Sequence, residues 1–118
     1  MKKKNVLFVC NAGLNRSATG ALLVEEDKNA NKKYNAKHAG THWLAFMRIN
    51  KYAVQWADII IFMEPHNKEI VLHRFPSESK GKETHVLNIP DNYVKGEAEL
   101  VRILKEKLSR ILKIKWRD

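Results

Sequence analysis

Cysteine is nearly absent from this chain. Cys10 is the only one in 118 residues, which excludes a disulfide-stapled scaffold. Long apolar runs are missing as well. The strongest, Ala57 to Met63, is broken by Asp58 and falls far short of the roughly 20 residues of a membrane span. Acidic residues are scarce beside basic ones, 13 against 22, which leaves a formal charge of +9. No internal repeat, low-complexity tract or second domain is visible. Lys2–Lys4 followed by Val6–Val9 resembles the start of a secretory signal, yet the apolar stretch is too short and no small-residue cleavage site follows. The residues before Cys10 also lack the small side chain of a lipid-attachment site. The expectation is a cytoplasmic protein with a reduced thiol.

What is present suffices for a core. At 44% apolar the chain can fold despite its 30% of charged residues. Its length fits one domain, residues 1–118, near the usual size of about 100–150 residues. Val6–Val9 is a continuous apolar run suited to a strand covered on both faces. Ser17 opens a helical stretch, with Ala18, Ala21, Leu22 and Glu25 at helical spacing. Asn29–Asn35 is polar and reads as a connection, Ala36–Ala39 as a second strand, and residues 50–57 as a short helix. Ile59–Met63 is the clearest strand, stopped by Pro65, which suits the first turn of another helix. His85–Ile89 reads as the fourth strand. Leu100, Leu104, Leu108, Ile111 and Leu112 form the apolar stripe of a long final helix. Strands and helices alternate, which predicts an α/β three-layer sandwich, a four-stranded parallel sheet flanked by helices. Ligands of such sheets sit at the carboxyl ends of the strands, where the strand order switches.

The loop after the first strand carries the chemistry. Cys10-Asn11-Ala12-Gly13-Leu14-Asn15-Arg16-Ser17 sets a cysteine at a strand end, five residues, then Arg-Ser at a helix start. Five residues wrapping from strand to helix can turn their backbone N–H groups inward, forming an anion nest capped by the positive end of the helix. Gly13 permits positive φ in mid-wrap. Arg16 offers a planar fork for two phosphoryl oxygens, which lysine does less well. The same donors face the sulfur of Cys10 and favour its ionised, nucleophilic form. Ser17 can hydrogen-bond that thiolate or assist its departure. A cysteine beside Val9 is otherwise a small buried apolar side chain; the accompanying Gly13, Arg16 and Ser17 turn the balance towards a nucleophile.

A phosphate ester also needs its leaving oxygen protonated. Asp91, in Ile89-Pro90-Asp91-Asn92-Tyr93, is the first candidate acid, although Pro-Asp-Asn is equally ordinary turn chemistry. Asp58 and Glu64 are weaker candidates, Asp58 being better suited to cap its strand. Trp43 and Tyr93 are candidate walls of a substrate pocket, Trp43 being as readily a packed surface aromatic. The histidines His38, His42, His66, His73 and His85 show no metal-ligand spacing, so neither a metal nor another cofactor is expected. The basic residues of the final helix read as a solvated face that could steer anionic substrates. No nucleic-acid module is present.

The stretch VLFVCNAGLNRS resembles the signature of the low-molecular-weight protein tyrosine phosphatases. His38-Ala39-Gly40-Thr41 is similar to that family's Ala-Gly-Thr after the second strand, Ala57–Met63 to its third strand, and Ile89-Pro90-Asp91 to a compact, shorter branch of it. The resemblance implies a flavodoxin-like winding and a phosphocysteine intermediate without a metal. Cys10 would be the nucleophile, Arg16 and the loop amides the phosphate holders, and Asp91 the acid. The implied partners are a phosphotyrosyl protein or a small aryl phosphate, with inorganic phosphate as product and no membrane. Three departures stand out. Gly13 occupies the place of a usual Asn, Asn15 that of a frequent second cysteine, and Ala18 that of a common Pro. Alternatives are a phosphocysteine carrier like the B components of sugar phosphotransferase systems, which lack the arginine, and arsenate reduction, which needs further cysteines. A non-catalytic phosphate-binding module is the last.

Overall fold

The computed structural model describes residues 2–117. Its elements run β1 (Lys4–Cys10), α1 (Arg16–Glu26), α2 (Lys28–Lys33), β2 (Tyr34–Gly40), α3 (Lys51–Trp56), β3 (Ile59–Phe62), α4 (Pro65–Arg74), α5 (Pro76–Ser79), β4 (Glu83–Val86) and α6 (Ala98–Ile111). The four strands form one sheet in the order β2-β1-β3-β4, every neighbouring pair parallel. The chain leaves β1 to one side for β2, then crosses to the other side for β3 and β4. The order therefore switches between β1 and β3, and a crevice opens at their carboxyl ends. Cys10 is the last residue of β1, paired in register with Gly40 of β2.

Alternation along β1 builds the two halves of the core. Val6, Phe8 and Cys10 face α1 and α6, packing with Ala21, Val24, Leu100, Leu104 and Leu108. Leu7 and Val9 face the opposite side, with Val54 of α3 and Val71 of α4. Successive side chains of a strand point to opposite faces, so a strand covered on both must be apolar throughout. Val6 through Val9 are fully buried. The stripe of α6 turns Leu100, Leu104 and Leu108 inward, and Leu112 follows at the helix end.

Several elements differ from their sequence expectations: β1 extends beyond Val6–Val9 at both ends, α5 is additional, and α2, β4 and β2 differ as well. Asn29–Asn35 is not a plain connection, because α2 occupies residues 28–33. Its sequence has little apolar periodicity, and the helix depends on its ends. The Asp27 side chain accepts hydrogen bonds from the N–H groups of Asn29 (2.9 Å) and Ala30 (3.0 Å), and Ala30 is fully buried. The fourth strand begins two residues earlier than expected, at Glu83. Its pairing with β3 nevertheless runs on through Leu87 N–H to Phe62 O and Ile89 N–H to Met63 O, both 2.9 Å. Asn88, at φ 57°, ends the regular strand between those two bonds. The second strand is longer than expected at both ends, starting at Tyr34.

Asp58 does cap its strand. Its N–H donates to Asn5 O and its Oδ2 accepts from Asn5 N–H, both at 2.8 Å, closing the β1–β3 pairing at the amino end of the sheet. That is the end away from Cys10, which removes Asp58 from the candidate acids. Among the described residues, no helix is long and apolar enough to cross a membrane.

Candidate active site

The chain from Cys10 to Ser17 wraps from the end of β1 into the first turn of α1. Gly13 sits at φ +66°, the conformation that a glycine adopts without strain. The wrap brings polar groups to the sulfur: Gly13 N–H donates to Cys10 Sγ at 3.2 Å, and the Ser17 hydroxyl is in hydrogen-bond contact with it at 3.0 Å. Cys10 and Ser17 are both buried.

Arg16 is the largest fully buried side chain, 1% exposed. A buried guanidinium is costly unless its charge and its donors are met. Here only half of it is met. Nη1 donates to Glu64 Oε1 and to the Ile89 carbonyl, each at 2.5 Å. Nε and Nη2, the edge on which two N–H bonds run side by side, have no hydrogen-bond partner. That edge fits two oxygens of a phosphate or carboxylate. Glu64 and Ile89 follow β3 and β4, so the parallel sheet itself brings both braces to the carboxyl end of β1.

Asp91 reaches the same place from the loop after β4. Its Oδ1 stands 3.7 Å from Arg16 Nη2, and its side chain is half exposed. Two bonds draw its loop over the start of α1: Lys95 N–H donates to Asn15 Oδ1 (3.1 Å) and Gly96 N–H to Thr19 Oγ1 (3.0 Å). The structure thus brings Cys10, Arg16, Ser17 and Asp91 to one crevice, joined by Glu64.

No protein-family model and no curated protein matches this sequence. Solved structures do match the fold. The tyrosine phosphatase Wzb of Escherichia coli K30, solved with phosphate, aligns over 95% of this chain and 98% of its own, at 18% identity and a TM-score of 0.75. A low-molecular-weight phosphotyrosine phosphatase of Vibrio cholerae aligns over 86% and 88%, at 18% identity and 0.66. The YwlE arginine phosphatase of Geobacillus stearothermophilus aligns over 93% and 94%, at 18% identity and 0.64. The chain has the fold of the low-molecular-weight phosphatases.

On this phosphatase fold, the remaining residues expected from the sequence are less uniform. Ala12 and Leu14 are exposed at the rim of the loop, Leu14 at 45%. Trp43 is also exposed, at 65%, and stacks on His42. Its segment is stitched to the loop: Thr41, His42 and Phe46 N–H groups donate to the carbonyls of Cys10, Asn11 and Ala12. Tyr93 is half-buried against the core beneath α1 and α6. Among the described residues, no three His, Cys, Asp or Glu side chains converge as a metal site would require.

The sequence marks Glu64 only as a weaker candidate acid and Asn11 only as a member of the phosphate-binding loop, and it does not single out Asn67. Asn67 is fully buried in the first turn of α4 and holds three partners. Its Oδ1 accepts from Glu64 N–H (3.0 Å), and its Nδ2 donates to Thr41 Oγ1 (3.1 Å) and Asn11 Oδ1 (2.9 Å). The available signal was position. Glu64 to Asn67 directly follow β3, at the carboxyl end beside the switch in strand order.

Proposed function

We propose that this protein is a cysteine-dependent phosphomonoesterase of the tyrosine-phosphatase type. The observation that carries the reading is the Nε–Nη2 edge of buried Arg16, which has no hydrogen-bond partner, beside a Cys10 sulfur that accepts from Gly13 N–H and lies in hydrogen-bond contact with the Ser17 hydroxyl. A buried cation with two parallel N–H donors lacking acceptors fits an anion that offers two oxygens, and a phosphoryl group set against the Cys10 sulfur is such an anion.

Cys10 Sγ attacks phosphorus and the ester bond to the leaving oxygen breaks. Arg16 and the loop amides hold the equatorial oxygens, where the charge of the transition state lies. Asp91 gives its proton to the leaving oxygen. As a carboxylate it then takes a proton from water, which attacks phosphocysteine, and Sγ departs towards the Ser17 hydroxyl. Inorganic phosphate is released and Asp91 is again protonated.

For the leaving group we favour an aromatic ester, as on phosphotyrosine, over a phosphorylated arginine, which the name of the Geobacillus arginine phosphatase brings into consideration. Exposed Leu14 and Trp43 offer apolar surface beside the loop, which suits a ring better than a charged guanidinium. A carrier role fits less well, because Arg16 and Asp91 both promote loss of the phosphoryl group. A cytoplasmic setting would keep the lone thiol reduced. The test is hydrolysis of an aryl phosphate by reduced protein with EDTA present, beside its Cys10→Ser variant. Turnover that vanishes in the variant is expected; folded, reduced protein without turnover would overturn the reading.

A further inference from the structure

The side chain of Asn11 connects the crevice wall to Asp91. Its Oδ1 is met by Asn67 Nδ2 at 2.9 Å and by His66 Nε2 at 2.6 Å, and its Nδ2 donates to Asp91 Oδ2 at 3.2 Å. The direction of every bond in this chain follows from one fixed donor. The backbone N–H of Glu64 meets an oxygen of Asn67, so the other end of that amide must be NH2. Asn67 therefore donates to Asn11, whose accepting atom is its oxygen, and the Asn11 NH2 is left facing Asp91. His66, meeting an oxygen that only accepts, must carry its proton on Nε2.

Asp91 has little else to orient it. Its side chain is half exposed, and Arg16 Nη2, at 3.7 Å, lies beyond hydrogen-bond distance. The N–H of Asn11 engages Oδ2 and leaves Oδ1 on the Arg16 side. We propose that Asn11 is a positioning residue for the proton donor. By occupying Oδ2 it presents Oδ1 as the oxygen that carries the proton to the leaving group. Asn67 and His66 lock the amide of Asn11 against rotation. The inference rests on the phosphatase reading above and deepens it. A proton donor is worth more to a poor leaving group than to a good one, so the loss of its orientation carries the same mark.

The experiment compares kcat/KM for phenyl phosphate and for a nitro-substituted aryl phosphate in four proteins: the parent, Asn11→Leu, Asp91→Ala and the double variant. Leucine keeps the bulk of asparagine and removes the N–H. Asn11→Leu is expected to lose about tenfold with phenyl phosphate, a part of the whole contribution of a general acid, and about twofold or less with the good leaving group. In the Asp91→Ala background it is expected to change neither rate further, since the two act as one unit. Inhibition by inorganic phosphate should stay within about twofold of the parent, reporting an intact loop. Equal losses with both esters, or the same loss with Asp91 already gone, would overturn the positioning role. A parent without Cys10-dependent turnover would instead fail the phosphatase reading itself, and the inference with it.

Discussion

Gly13 and Gly40 lie back to back. A Cβ on Gly13 would stand 2.7 Å from the backbone nitrogen of Gly40, and one on Gly40 would stand 2.5 Å from that of Gly13. The contact joins the middle of the Cys10–Ser17 loop to the end of β2. It is reinforced by His38 Nδ1 against the Gly13 carbonyl, at 2.9 Å. Neither glycine can therefore gain a side chain without moving backbone at the site.

Asparagine, which the resembling phosphatases usually carry at the place of Gly13, tolerates positive φ but still brings a Cβ. Gly13→Asn and Gly13→Ala are both expected to cost about 1–3 kcal/mol in urea unfolding from overpacking, with most activity lost. Gly81→Ala is the control, since Gly81 shares positive φ (+76°) but has nothing within 4 Å of its Cβ position. It should cost only the backbone strain, about 1–2 kcal/mol, with turnover kept. Full activity in folded Gly13→Asn would contradict the packing account.

Arg16→Lys keeps the charge and loses the fork. A lysine ammonium can reach Glu64 or an oxyanion, but it cannot hold two phosphoryl oxygens while braced on Glu64 and the Ile89 carbonyl. The expected result is a fall in kcat/KM of about 100-fold or more, the scale for losing a preorganised oxyanion donor, with weaker inhibition by phosphate. A loss of less than about fivefold would argue that charge alone suffices and that the unpartnered edge has no part in the reaction.

Asp91→Ala separates bond breaking from phosphate binding. The rate with phenyl phosphate should drop by about 100-fold or more, while a nitrophenyl ester, whose leaving oxygen needs little protonation, should lose far less. Competitive inhibition by phosphate is the internal check and should change little. A drop that ignores the leaving group would remove Asp91 as the acid and return Glu64 to consideration.

Oxidation should be unusually damaging. Asn15 takes the place of the second cysteine that the resembling phosphatases frequently carry, and the chain has no other thiol. Peroxide is expected to inactivate the protein in a way that added thiol only partly reverses, with sulfinic acid at Cys10 in the peptide mass spectrum. Inorganic phosphate in the loop should slow the loss. Complete recovery after prolonged peroxide would show that Cys10 is shielded by some other route.

The legible part of this protein was local. The Cys10–Arg16 spacing, the apolar Val6–Val9 run of β1 and the Leu100–Leu104–Leu108 stripe each lie within one short window, and each takes the place expected of it. The crevice at the carboxyl end of β1 followed from strand alternation. The rest depends on contacts between distant segments. α2 needs the Asp27 cap and a buried Ala30, which the polar run Lys28–Lys33 does not announce. β4 lies at the sheet edge, partly exposed, so its apolar pattern marked its start poorly. The Arg16–Glu64, Asn67–Asn11 and Asn11–Asp91 hydrogen bonds span 48 to 80 residues, and such partners leave no periodic trace in the sequence.

The most direct test of the central claim is to trap the phosphoryl group on the protein. Reduced protein mixed with an aryl phosphate and quenched in acid within one turnover should gain the mass of one phosphoryl group. Fragmentation should place that group on Cys10, and Cys10→Ala should show none. Turnover of the ester with no phosphoryl group on Cys10 at any quench time, or the same mass gain in Cys10→Ala, would contradict the account.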